Sequence, residues 1–122
     1  MNMIPGTSIL GLADLPLHLT RIGTGDMLLE PRDGLDPDAA EDYLEPILAC
    51  LREQHVARLY YDVQQLAVID PVYYGWMAHL ARACQAMGVR MVAVHVRPSA
   101  AFAMSRYLQA DPPFATALDV GG

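Results

Sequence analysis

Four histidines, two cysteines and fourteen carboxylates are the groups of this 122-residue chain that chemistry would use, and their spacing decides what they can do. His18, His55 and His79 have no His or Cys partner three or four positions on, so none starts a metal-ligand pair on one helical face. His95 sits inside the apolar run Met91-Val92-Ala93-Val94-His95-Val96, where an imidazole is expected as a satisfied core or edge group rather than as a base. Cys50 and Cys84 are isolated within helical patterns, without a CxxC or a Cys/His set nearby. A lone thiol in such company behaves as a small hydrophobe. Gly23-Thr24-Gly25 lacks the third glycine and the strand-to-helix setting of a dinucleotide loop, and no GxxxxGK run occurs. The expectation is a chain that is not an enzyme, with no catalytic residues, no metal site and no cofactor.

The elements that would position any site are clearer. Leu59 to Val63 is a short β-rich run and Met91 to Val96 is another; the stretch between them reads as a helix opened by Asp70-Pro71 and closed at Gly88. Strand, helix and strand in that order predict a βαβ crossover with parallel neighbouring strands and a right-handed connection. Upstream, Leu15 to Thr20 and Met27 to Glu30 flank the turn Gly23-Thr24-Gly25-Asp26 and predict a hairpin. Asp36-Pro37 predicts a first helix with Asp38, Glu41 and Asp42 near its positive end. Its apolar face is expected at Ala40, Leu44, Ile47, Leu48 and Leu51, with a kink at Pro46. The second helix should bury Trp76, Met77, Leu80, Ala83, Cys84 and Met87. Downstream, Pro98 predicts a third helix to about Leu108, and Asp111-Pro112-Pro113 precedes a last strand from Phe114 to Val120. The fold class is α/β, a single domain over 1–122 with a mixed β-sheet, crossover helices and the order ββαβαβαβ. Residues 1–14 are expected to be poorly ordered or an extra segment.

Composition narrows the partners. All eight basic residues are arginine against fourteen acids, a formal charge of −6, so there is no basic stripe for nucleic acid. Residues 1–56 hold ten acids and three arginines, whereas 57–122 hold four and five. Mean hydropathy is +0.20, yet the longest apolar runs are strand-sized, which excludes a membrane span. Met1-Asn2-Met3-Ile4-Pro5-Gly6 lacks a basic n-region, so Ile9-Leu10-Gly11-Leu12 is not expected to act as a secretory core. A cytoplasmic address follows.

From Leu59 onward the chain resembles the STAS family, the domain of anti-sigma factor antagonists and of RsbS-type stressosome scaffolds. The resemblance rests on Tyr61-Asp62-Val63, Val68-Ile69-Asp70, the alanine-rich helix ending Ala86-Met87-Gly88-Val89, Val94-His95-Val96-Arg97-Pro98-Ser99-Ala100-Ala101, and Thr116-Ala117-Leu118-Asp119-Val120. It implies bacterial signalling by protein–protein interaction, in which a kinase phosphorylates a Ser or Thr directly after the aspartate that opens the second helix. That position is Pro71, which has no hydroxyl. A second phosphoacceptor of some scaffold members matches Ala103. Typical members continue into another helix past the last strand, whereas this sequence ends at Gly122, leaving core surface for something else to cover.

The expected partner-binding residues are Asp70, Pro71, Val72, Tyr73 and Tyr74. Asp70 caps the helix, Pro71 stiffens its first turn, and the closely spaced Tyr73, Tyr74 and Trp76 cannot all enter one core stripe, so at least one tyrosine should be exposed as an anchor. The resemblance implies anti-sigma factors, kinases or other STAS proteins as partners, including a second copy of the chain. A fixed subunit of a lipid-transport complex, or a small-ligand or nucleotide-binding domain with Arg97 as its cation, are the alternatives.

Overall fold

The hairpin turn needs backbone that L side chains rarely adopt, and glycine supplies it: Gly23 and Gly25 have φ of 57° and 111°. The computed structural model describes residues 14–106 and 111–117. Five strands form one sheet in sequence order, β1 (Leu17–Ile22), β2 (Asp26–Pro31), β3 (Arg58–Asp62), β4 (Arg90–Val94) and β5 (Ala115–Ala117). β1 pairs antiparallel with β2, and every other pair is parallel. The crossovers are α1 (Ala40–Glu53), α2 (Pro71–Ala86) and α3 (Pro98–Ser105), which completes the expected ββαβαβαβ order.

α2 and α3 start at the prolines that predicted them, and α1 follows a 3-10 turn that starts at Pro37. Before α1, the Asp36 carboxylate accepts from the Asp38 amide at 2.9 Å, and Pro37–Ala39 forms a 3-10 turn. Pro46 lies inside α1, which nonetheless runs to Glu53. The helix ends share one device. After α2, Gly88 N donates to Gln85 O and Val89 N to Cys84 O around a left-handed Gly88, a Schellman cap. After α1, His55 N donates to Arg52 O and Val56 N to Leu51 O, with His55 itself at φ 53°. His55 is therefore a helix cap.

Side chains alternate across the strands. Leu29, Leu59, Tyr61, Met91 and Ala93 join residues of all three helices in one core cluster, so the crossovers lie on the same face of the sheet. Tyr60, Val92 and Val94 form the buried cluster of the other face, with Ile22, Leu28, Ala115 and Ala117 packed against it. α1 is rotated from expectation. Its buried residues are Tyr43, Ile47, Cys50 and Leu51, while Leu44 and Leu48 are half-buried. The Tyr43 ring meets the Trp76 ring edge-on with centroids 5.7 Å apart, and that aromatic contact sets the helix face.

Two strand boundaries also move. β4 stops at Val94, and His95 leaves the strand at φ 61°, so it is not the in-strand histidine that the apolar run suggests. β3 ends at Asp62. α3 ends at Ser105 with Arg106 as its cap, short of the expected Leu108, and the expected extension of the last strand to Val120 and the segment before Asp14 fall outside the described residues. Among the described residues no helix is long and apolar enough to cross a membrane.

Candidate functional site

Four parallel strands, β2 to β5, run toward one edge of the sheet, and the segments leaving it there carry the residues of interest. In such sheets the carboxyl ends of the strands are where ligands and partners are met. From β3 the chain passes through 63–70 into α2, and from β4 through His95–Arg97 into α3. Buried Val63 and Ile69 pin both ends of the first passage. Leu66 N donates to Val63 O at 2.9 Å and Gln64 N to the Asp62 carboxylate at 2.8 Å, which tightens its turn. The Ser99 hydroxyl donates to Ala67 O at 2.5 Å, tying the start of α3 to the passage before α2.

Asp70 performs the capping role its position predicts. Its carboxylate accepts from the Tyr73 amide at 2.8 Å, and the extended Asp70 (φ −81°, ψ 172°) is followed by Pro71 at the first helical position. Proline there leaves no amide to satisfy and fixes φ. Asp70, Pro71 and Val72 are exposed. Val72 is 51% exposed and Val68, on the passage, 59%; both are aliphatic side chains that burial would favour.

Tyr73 departs from expectation. It is only 9% exposed, because three positions separate it from Trp76 and the two therefore share the inward face of α2. The Tyr73 and Tyr61 hydroxyls lie 2.6 Å apart, and Trp76 Nε1 donates to the Tyr61 hydroxyl at 2.8 Å. Beside them the Asp36 amide donates to the Tyr43 hydroxyl at 3.0 Å. These aromatics join the entry to α1, strand β3 and the first turns of α2 into one buried support. Burial pushes the Tyr73 phenol up to about 12 and the Tyr61 phenol well above its usual value. Tyr74 is half-buried, its ring 5.9 Å from that of Phe114. Of the five expected contact residues, Asp70, Pro71 and Val72 thus form a continuous exposed turn, Tyr74 flanks it and Tyr73 lies beneath it.

Val68 and Phe102 are two further exposed apolar residues that nothing in the sequence singles out. Phe102 is 64% exposed and lies three positions after Ser99 on α3, with the Arg106 guanidinium 5.6 Å from its ring centroid. An isolated valine in Leu-Ala-Val-Ile and a phenylalanine in an apolar helix look like core in one dimension; only the fold turns them outward.

At the same edge His95 Nδ1 lies 3.1 Å from the Asp62 carboxylate, but its buried Nδ1 is not aligned for a hydrogen bond. The contact is an ion pair only when the imidazole is protonated. Cys84 and Cys50 are buried free thiols, and burial pushes Cys84 up to about 12, the opposite of what a nucleophile needs. Among the described residues no three His, Cys, Asp or Glu side chains are gathered as a metal site.

No protein-family model matches the sequence. No curated protein matches it either. Solved structures do match the fold. A variant of RsbS from Moorella thermoacetica superposes with a TM-score of 0.68 at 17% identity, over 85% of this chain and 87% of that one. The NMR structure of the protein TM1081 gives 0.69 at 12% identity, over 98% and 90%. The unphosphorylated anti-sigma factor antagonist SpoIIAA gives 0.59 at 16% identity, over 85% and 89%. Strand order, crossovers and these superpositions agree: the chain has the STAS fold of RsbS and SpoIIAA.

Proposed function

We propose that the chain is a non-enzymatic regulatory module that binds a protein partner through the start of α2, in the manner of an anti-sigma factor antagonist or a stressosome scaffold. The observation that carries this reading is the first turn of α2. It is capped by Asp70, stiffened by Pro71 and supported from below by the Tyr61, Tyr73 and Trp76 network, and it presents Val72 and neighbouring Val68 to solvent. A rigid apolar turn loses little entropy when a partner covers it. Asp70, Pro71, Val72 and Tyr74 make the contact, and Tyr73 positions them. Pro71 has no hydroxyl to phosphorylate, so association here is governed by partner concentration or by change on the partner.

The test is affinity capture from extract of the source cells with the immobilised chain, repeated with Val72→Asp and Tyr74→Ala and with Gln85→Ala at the far end of α2 as control. The partner held by wild type should be lost with Val72→Asp, weakened about tenfold or more with Tyr74→Ala and retained with Gln85→Ala, all three variants melting as folded proteins. A partner indifferent to Val72→Asp and Tyr74→Ala contradicts the assignment. After incubation with a Ser/Thr kinase of the stressosome type, intact-mass and phosphopeptide analysis should find no phosphate on 68–74.

A further inference from the structure

We propose that the groove between the first turns of α1 and the middle of α2 docks a basic amphipathic segment of a protein partner. This deepens the reading above and rests on it, since Val72 belongs to both surfaces. The groove has a volume of about 510 Å³. Val72, Gly75 and His79 line its α2 wall, and Asp38, Glu41 and Asp42 line the opposite wall. Spacings of three and four put Val72, Gly75 and His79 on one face of the helix, over the edge of buried Trp76.

Gly75 makes this groove more than a gap between helices. It sits in the interior of α2 with ordinary helical φ, and a Cβ placed there would meet nothing within 4 Å. Neither backbone conformation nor packing among the described residues calls for glycine, the poorest helix-interior residue after proline. A bare backbone does, however, let another chain approach closely. The acids point to its chemistry. Asp38, Glu41 and Asp42 make no ion pair among the described residues, and they lie in the half of the sequence with ten acids and three arginines. Their field attracts arginine and lysine and repels nucleic acid and anionic lipid. The occupant is therefore a protein segment with an aliphatic side chain to lay over Gly75 and flanking cations to meet the acidic wall.

Panning a phage-displayed library of random peptides against the immobilised full chain tests this, with selected peptides synthesised and titrated by fluorescence anisotropy. Selected peptides should carry net positive charge around an apolar residue. Gly75→Leu should weaken them about tenfold or more, while the free variant melts at or above wild type. Should Gly75→Leu not fold, the exposed triple change Asp38→Asn, Glu41→Gln, Asp42→Asn serves in its place. It should weaken binding about tenfold and flatten its salt dependence. Gln85→Ala, at the far end of α2 and outside the groove, should leave peptide affinity within about twofold. Neutral or acidic binders, binders indifferent to Gly75→Leu or to the triple change, or no binders at all overturn the proposal. Peptides that depend on Tyr74 but not on Gly75 overturn the groove and leave the α2-start reading standing. Failure of that reading shows separately, as a captured partner indifferent to Val72→Asp and Tyr74→Ala.

Discussion

The buried hydroxyls of Tyr61 and Tyr73 are the residues on which the α2 start depends, and their roles are unequal. Tyr61 serves both Trp76 Nε1 and the Tyr73 hydroxyl. Tyr61→Phe should therefore strand two buried polar groups and cost about 2 kcal/mol or more, whereas Tyr73→Phe, which leaves Trp76 its acceptor, should cost about 1 kcal/mol. Urea unfolding of both variants checks the order; equal losses would mean that the network is not arranged around Tyr61. Alkaline pH probes the same pair. Burial pushes the folded Tyr73 phenol up to about 12 from its ordinary value of 10.0, so the folded state holds its proton where the unfolded chain releases it. That contribution to stability is complete below pH 10 and is lost as the pH rises toward about 12. Thermal midpoints should fall across this window, and less steeply for Tyr73→Phe. At this scale the sequence was read unevenly. Asp70 as a cap was legible, since Asp-Pro before an apolar periodic run has few other meanings. Tyr73 as an inward residue was legible in principle from its three-residue spacing to Trp76, but the density of aromatics suggested exposure instead.

Helix ends supply the sharpest tests at the scale of the element. Asp70→Ala removes the acceptor for the Tyr73 amide and should cost about 1 kcal/mol, with Asp70→Asn recovering most of it. At the other end of α1, His55 holds a left-handed backbone that costs an L residue about 1–2 kcal/mol. His55→Gly should thus stabilise the free domain by up to about 1 kcal/mol, and an unchanged melt would argue against the cap. Gly75→Ala, in the open interior of α2, should add about 1 kcal/mol and raise the thermal midpoint by about 4 °C. α2 and α3 begin where Asp70-Pro71 and Arg97-Pro98 place them, and Asp36-Pro37 opens the 3-10 turn that leads into α1, because a proline has few choices at a helix start. Strand ends slid by one or two residues, and at the starts of β3 and β4 the reason is that Arg58 and Arg90 look like turn residues but pair within the sheet. α1 turned relative to its predicted face because Tyr43 packs on Trp76, a partner thirty-three positions away that periodicity cannot see.

Across the whole molecule, one face of the sheet carries all three helices and one edge carries the α2 start, Val68 and Phe102. The order of elements was legible because each crossover is a separate local pattern, whereas the exposure of Val68, Val72 and Phe102 was not, because apolar residues in apolar runs look like core until the fold turns them outward. The acidic first half adds a long-range field, so association should slow and weaken as salt rises from low to physiological strength if the groove beside α1 takes part. The most direct test of the binding surface is hydrogen–deuterium exchange on the captured complex compared with the free chain. Protection is predicted over 64–76 and the start of α3, with the β1–β2 hairpin unchanged. Protection confined to the hairpin, with 64–76 exchanging as in the free chain, would contradict the assignment of the α2 start as the recognition surface.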